Sequence, residues 1–105
     1  MIRAVICDDE DAALKIITYS IENQGIPIEI VGTASDGKEA LALIKKENPN
    51  LVFLDIEMPG MNGFDVVEKL NAVNCKVIII TAYSTFSYAQ RALRLGVSDI
   101  IEKPI

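Results

Sequence analysis

The strongest constraint on this chain is an alternation. Short runs rich in Val, Ile and Leu are separated by stretches whose apolar residues recur at helical spacing. The runs are residues 2–7 (IRAVIC), 28–33 (IEIVGT), 51–55 (LVFLD), 76–81 (KVIIIT) and a weaker 98–102 (SDIIE). Between the first two, residues 11–24 carry Leu14, Ile17 and Ile21 on one face and stop at Gly25. Asp36 with Glu39 three positions on opens a second helix in the manner of a capping box. Ala40, Leu41 and Ile44 form its buried stripe, and Asn48-Pro49 ends it. A short helix from about Gly63 places Val66, Val67 and Leu70 inward, and residues 85–95 form a helix closed by Gly96. Strands alternating with helices predict an α/β fold, a doubly wound five-stranded parallel sheet in the order 2-1-3-4-5. The near-continuous apolar character of the third and fourth strands fits coverage on both faces.

Handedness adds an expectation. Parallel crossovers are right-handed in nearly all cases. In this order three helices fall on one face and one on the other. A fifth helix after Ile105 is needed to cover the rest of that face. We therefore expect a receiving surface for a helix missing from this chain, through truncation or a tail without order, or a face covered by a partner.

The 105 residues make one domain, and 50% hydrophobic content is enough for a core. A net charge of -5 argues against nucleic-acid binding by this surface, which would repel phosphates. No apolar run approaches the ~20 residues of a membrane span, and the start MIRAVICDDE turns acidic too early for a signal peptide. A cytoplasmic location is expected. Cys7 and Cys75 lie far apart, in or beside apolar runs, and read as buried reduced thiols. There is no His, which removes His-based triads and an internal phosphohistidine.

In a doubly wound sheet the binding crevice lies at the carboxyl ends of the strands. The first strand ends in Asp8 and Asp9, the third in Asp55, the fourth in Thr81 and Ala82, and the fifth in Lys103. Each has a plain reading alone: residues 8–11 as a solvated helix-capping turn, Asp55 as a loop cap, Lys103 as surface lysine. Their coincidence at one edge is the signal. Three carboxylates there repel and require cations. Lys103 is one, and an all-oxygen ligand set suits Mg2+ over zinc. Such a site fits phosphoryl chemistry, with Asp55 as nucleophile, Mg2+ and Lys103 neutralising charge, and Thr81 and the Ala82 N–H on phosphoryl oxygens.

At DDE (8–10), DIEMPGMNG (55–63), TAY (81–83) and KP (103–104), the chain resembles the receiver domain of bacterial two-component response regulators, over essentially its whole length. The resemblance implies the flavodoxin-like, CheY-like fold. It also implies that Asp55 accepts a phosphoryl group from a histidine kinase or phosphotransfer protein. Asp9, Asp55 and the backbone carbonyl of Glu57 would bind Mg2+ directly and Asp8 through water. Thr81 and Lys103 would contact the phosphoryl group. On this reading the domain is no enzyme beyond self-phosphotransfer and autodephosphorylation. It would act through an output domain beyond residue 105, or as a stand-alone receiver through protein contacts. The segment FSYAQRALRLGVSDIIEKPI is similar to receivers joined to AraC-type helix-turn-helix domains, which implies transcriptional output.

Two positions stand apart. The family usually carries Tyr or Phe three residues before the Lys, where this chain has Ile100, so switching either uses helix-four movement, with Tyr83 or Phe86 nearby, or needs no ring. Glu57, two past the acceptor, is expected to tune phosphoryl lifetime. The exposed side of helix four, with Tyr88, Arg91 and Arg94, is expected to dock partners or a second copy together with strand five. A haloacid-dehalogenase-type phosphatase would want a D-x-D pair after its first strand, and here Asp55-Ile56-Glu57 follows the third. A flavodoxin-like nucleotide carrier would want small hydroxyl residues and Gly where Asp8, Asp9 and Glu10 stand.

Overall fold

The computed structural model describes residues 1–70, 75–82 and 85–103. The element order is β1 (Ile2–Cys7), α1 (Asp11–Asn23), β2 (Ile28–Ala34), α2 (Gly37–Glu47), β3 (Leu51–Asp55), α3 (Gly63–Glu68), β4 (Lys76–Thr81), α4 (Phe86–Arg94) and β5 (Asp99–Glu102). The strands form one sheet in the order β2-β1-β3-β4-β5, with every pairing parallel. The switch of direction falls between β1 and β3.

Side chains alternate across a strand, so each strand feeds two cores. Val5, Cys7, Val52, Leu54, Val77 and Ile79 meet Ala40 and Ile44 of α2, Phe64, Val66 and Val67 of α3, and Ala92 of α4. Ile6 and Ile80 point the other way and meet Ile17 and Ile21 of α1. One face thus holds three helices and the other holds α1, as right-handed crossovers require. On the α1 face Phe53, Ile78 and Ile101 are only half-buried. Phe64 was absent from the expected inward residues of α3. At 1% exposed it is the bulkiest of the fully buried side chains, and its burial is worth about 2–3 kcal/mol.

The helix ends follow local chemistry. Asn62 opens α3 with a reciprocal box: its Oδ1 accepts from the Asp65 N–H at 3.0 Å, and Asp65 Oδ2 accepts from the Asn62 N–H at 3.2 Å. At α2 the pattern shifts by one residue. Asp36 accepts from the Glu39 N–H at 2.7 Å, but the Glu39 carboxylate accepts from Ser35 rather than from Asp36. Asn48 closes α2 in the left-handed region, at φ 47, where an Asn is better tolerated than most side chains.

Candidate functional site

The site begins with strand register. The Asp8 N–H donates to the Ala34 carbonyl, extending the β1–β2 ladder one residue past β1 and holding Asp8 at the carboxyl edge. Asp55 closes β3 opposite Ile80 of β4. The Lys103 N–H donates to the Thr81 carbonyl at 2.7 Å, which does the same for Lys103 after β5. Buried strands thus carry Asp8, Asp55 and Thr81 to one edge, and all three are at most 2% exposed. Asp9, Glu10 and Ala82 lie exposed around them.

Lys103 joins the acids. Its ammonium lies 2.9 Å from Asp8 Oδ2, 3.0 Å from Glu10 Oε1 and 3.6 Å from Asp55 Oδ2. Burial alone would lower the Lys103 pKa; the hydrogen bonds and charges of Asp8, Glu10 and Asp55 outweigh it and raise the value, so the amine is charged at every ordinary pH. The Asp55 pKa also rises, which for a carboxylate disfavours the charged form. Burial pushes it up to about 7, Asp8 adds to the rise, Lys103 and the Glu57 N–H oppose it, and Asp9 adds again. One ammonium does not balance this many acids.

The donor set suits a hard cation. Asp8, Asp9 and Glu10 each offer a carboxylate oxygen, all within 4.8 Å of one another. Asp8 Oδ2 is buried, and among the described residues its close polar neighbour is the Lys103 ammonium at 2.9 Å. Oxygen ligands alone fit Mg2+. Sequence reasoning gave Glu10 no separate role, yet the structure places it on Lys103 and among the acids. Its position two residues past the Asp8 strand end was the available signal.

The loop after β3 is closed by tight backbone contacts. Met58 and Gly63 N–H both donate to the Ile56 carbonyl, and Met61 donates to Pro59. Gly60 takes φ +76. A Cβ on Gly63 would run into the Asp55 carbonyl oxygen, so only Gly lets α3 start this close to the strand end. The Glu57 N–H returns to Asp55 Oδ1 at 3.4 Å.

Around α4, Arg91 and Arg94 are exposed as expected and Tyr88 is half-buried. The Tyr88 hydroxyl donates to Glu57 Oε1 at 3.1 Å, and its ring meets Phe64 edge-on at 5.4 Å between centroids. The Arg91 guanidinium lies 4.5 Å over the Phe64 ring and 3.5 Å from Glu68 Oε1. Both side chains turn toward α3, because Phe64 offers a π surface and two acids flank it. Arg94 and Leu93 are exposed. Ile100 pairs with Ile79 and packs half-buried against the main core. Tyr83, Pro104 and the Phe86 side chain lie outside the described residues.

Cys7 is buried, and burial, then Glu39 and Asp8, push its thiol up to about 12. Burial also raises the half-buried Cys75. Both are unpaired thiols. A cleft of about 820 Å³ opens among Met1, Ile2, Pro27, Asn50, Leu51, Cys75 and Lys76, at the amino end of the sheet. Among the described residues, Lys76 is the one charged side chain that lines it. Among the described residues no helix is long and apolar enough to cross a membrane.

Residues 4–105 match the response regulator receiver domain family. The chain belongs to that family, whose members are signalling domains of two-component systems. It is 36% identical over all 105 residues to the transcriptional regulatory protein HptR of Staphylococcus aureus, and spans 42% of that protein's length. Among solved structures it is similar to the receiver domain of AraT, a response regulator from Geobacillus stearothermophilus. There the TM-score is 0.88 at 37% identity, covering 98% of this chain and 81% of that one. It is also similar to a chain in the CheX-CheY-BeF3-Mg complex of Borrelia burgdorferi. That match has a TM-score of 0.91 at 30% identity and covers 99% of this chain and 79% of the other.

Proposed function

We propose that Asp55 is the phosphoryl acceptor of this receiver, taking the group from a histidine kinase or phosphotransfer protein. The observation that carries this reading is the Lys103 ammonium, gathered by Asp8 and Glu10 and 3.6 Å from Asp55 at a buried strand end. An Asp55 oxygen attacks phosphorus, the phosphorus–nitrogen bond to the donor imidazole breaks, and the imidazole leaves with the electron pair. Lys103 neutralises charge on the transferred group, while Thr81 and the Ala82 N–H bind its oxygens. Asp8, Asp9, Asp55 and the Glu57 carbonyl would hold Mg2+, with Glu10 at their edge. When bound, the ion supplies the positive charge that keeps Asp55 ionised and screens the incoming phosphoryl group. Autodephosphorylation is the only other chemistry assigned to the domain.

The domain fits a cytoplasmic regulator with an output domain, since this chain spans 42% of the length of HptR. The name of HptR favours transcriptional output. The AraC-type likeness of residues 86–105 adds a class of output domain to that proposal. Self-association or partner docking is assigned to the α4–β5 side, where Leu93 is 73% exposed. Ile100 packs into that side and serves as a filler rather than a swinging ring.

Acetyl phosphate with Mg2+, followed by intact mass, tests the acceptor. One phosphoryl adduct is expected, absent in Asp55→Asn and absent when EDTA replaces Mg2+. An adduct that persists in Asp55→Asn overturns the reading.

A further inference from the structure

Among the described residues, a side-chain hydrogen bond joins the acceptor loop to α4. Glu57 lies two residues beyond Asp55, and its backbone N–H already reaches the Asp55 carboxylate. Its side chain does not follow. The Glu57 carboxylate instead accepts the Tyr88 hydroxyl at 3.1 Å, across 31 residues of sequence. Tyr88 is itself held in place. Its N–H donates to Thr85 Oγ1 at the α4 cap, and its ring stands edge-on against the buried Phe64. Arg91 covers Phe64 from the same helix and reaches Glu68. The hydroxyl therefore sits at a fixed point set by the packing of α4 on α3.

We propose that Tyr88 is a positioning residue, whose hydroxyl holds the Glu57 carboxylate toward α4 and so lengthens the life of the phosphoryl group on Asp55. This rests on Asp55 being the acceptor. Hydrolysis needs a water to attack phosphorus while the bond from phosphorus to Asp55 Oδ breaks. The carboxylate leaves with the electron pair, the water's oxygen and one proton enter inorganic phosphate, and its other proton passes to a base and then to solvent. A carboxylate beside the acceptor is a competent base for that water. Bound to Tyr88, Glu57 is turned away from the water; released, it can reach it. The position of α4 and the rate of hydrolysis are thereby tied through a single hydrogen bond.

The test uses the chain phosphorylated with acetyl phosphate and Mg2+, then freed of excess reagent, with adduct loss followed by intact mass. Tyr88→Phe keeps the ring on Phe64 and removes only the hydroxyl, and its thermal melt should stay close to the parent's. It should lose phosphate several-fold faster. In the Glu57→Ala background the same Tyr88→Phe change should have no effect, because the hydroxyl acts only through that carboxylate. An unchanged rate in Tyr88→Phe overturns the proposal, and so does an equal acceleration in both backgrounds. Either outcome leaves the acceptor reading standing. A parent chain that forms no adduct lost in Asp55→Asn removes the acceptor reading, and this proposal with it.

Discussion

The β3–α3 corner and the α4 side of the molecule are held by different means. At the corner, Gly63 packs against the Asp55 carbonyl, Asn62 and Asp65 cap each other, and Phe64, Val66 and Val67 are buried below. On the other side, α4 has a single-sided cap from Thr85, and Ala92 is its buried hydrophobic residue among those described. Beyond that it leans on Phe64 through Tyr88 and Arg91, and its side-chain polar bonds among the described residues, Tyr88 to Glu57 and Arg91 to Glu68, are exposed. Burial resists displacement, while exposed hydrogen bonds exchange cheaply with water. The contrast separates tasks. The proposed acceptor stands on the well-buried corner, and beside it lies the helix with, among the described residues, the least buried anchorage.

Gly63→Ala is the harshest test of that corner. Its new methyl meets backbone on both Asp55 and Ile56, which cannot rotate away. A loss of about 3 kcal/mol in urea unfolding is expected. A loss below about 1 kcal/mol would mean that the corner yields as readily as α4.

Asp55 gives the next effect, in the opposite direction. Its folded-state pKa of about 7 lies above the ordinary 3.8, so the folded protein binds that proton more tightly. The associated stability is fully present below the unfolded value and is lost as pH rises through the folded one. In EDTA at pH 8, Asp55→Asn should therefore be more stable than the parent by on the order of 2 kcal/mol, with the gain fading near pH 4. Urea midpoints at the two pH values check it, and a gain that ignores pH would remove ionisation as the cause.

The caps sharpen the comparison. Asn62→Ala should cost about 1 kcal/mol and Thr85→Ala about half that. The reason is that the Asn62 box satisfies two backbone N–H groups, whereas Thr85 Oγ1 accepts from one, that of Tyr88, at an exposed helix start. Equal losses in thermal melts would erase the distinction.

Arg91→Ala is the smallest, about 0.5 kcal/mol, since a cation over a ring and an exposed ion pair are each weak. Its mark should be faster amide exchange confined to α4. Exchange rising equally in α3 would show that the two helices move together.

Much of the architecture is written locally. The bounds of β3 and β4 coincide with the apolar runs 51–55 and 76–81, because such runs form buried parallel strands and little else. Weak ends were less legible. β5 begins at Asp99 rather than at 98, and α4 at Phe86 rather than at 85, where Thr85 is the cap. Phe64 escaped because α3 has six residues, too few turns for a stripe to reveal its first position.

The site divides in the same way. Asp8, Asp55, Thr81 and Lys103 could be placed from sequence, because parallel topology sends every strand's carboxyl end to one edge. That is a consequence of chain direction and needs no side-chain detail. The role of Glu10 on Lys103, the rise of Asp55 and the link from Tyr88 to Glu57 were decided by tertiary packing alone. They depend on distances of a few ångströms between residues far apart in the chain, and neither periodicity nor composition carries that information. Sequence determined which groups share an edge; packing determined which of them touch.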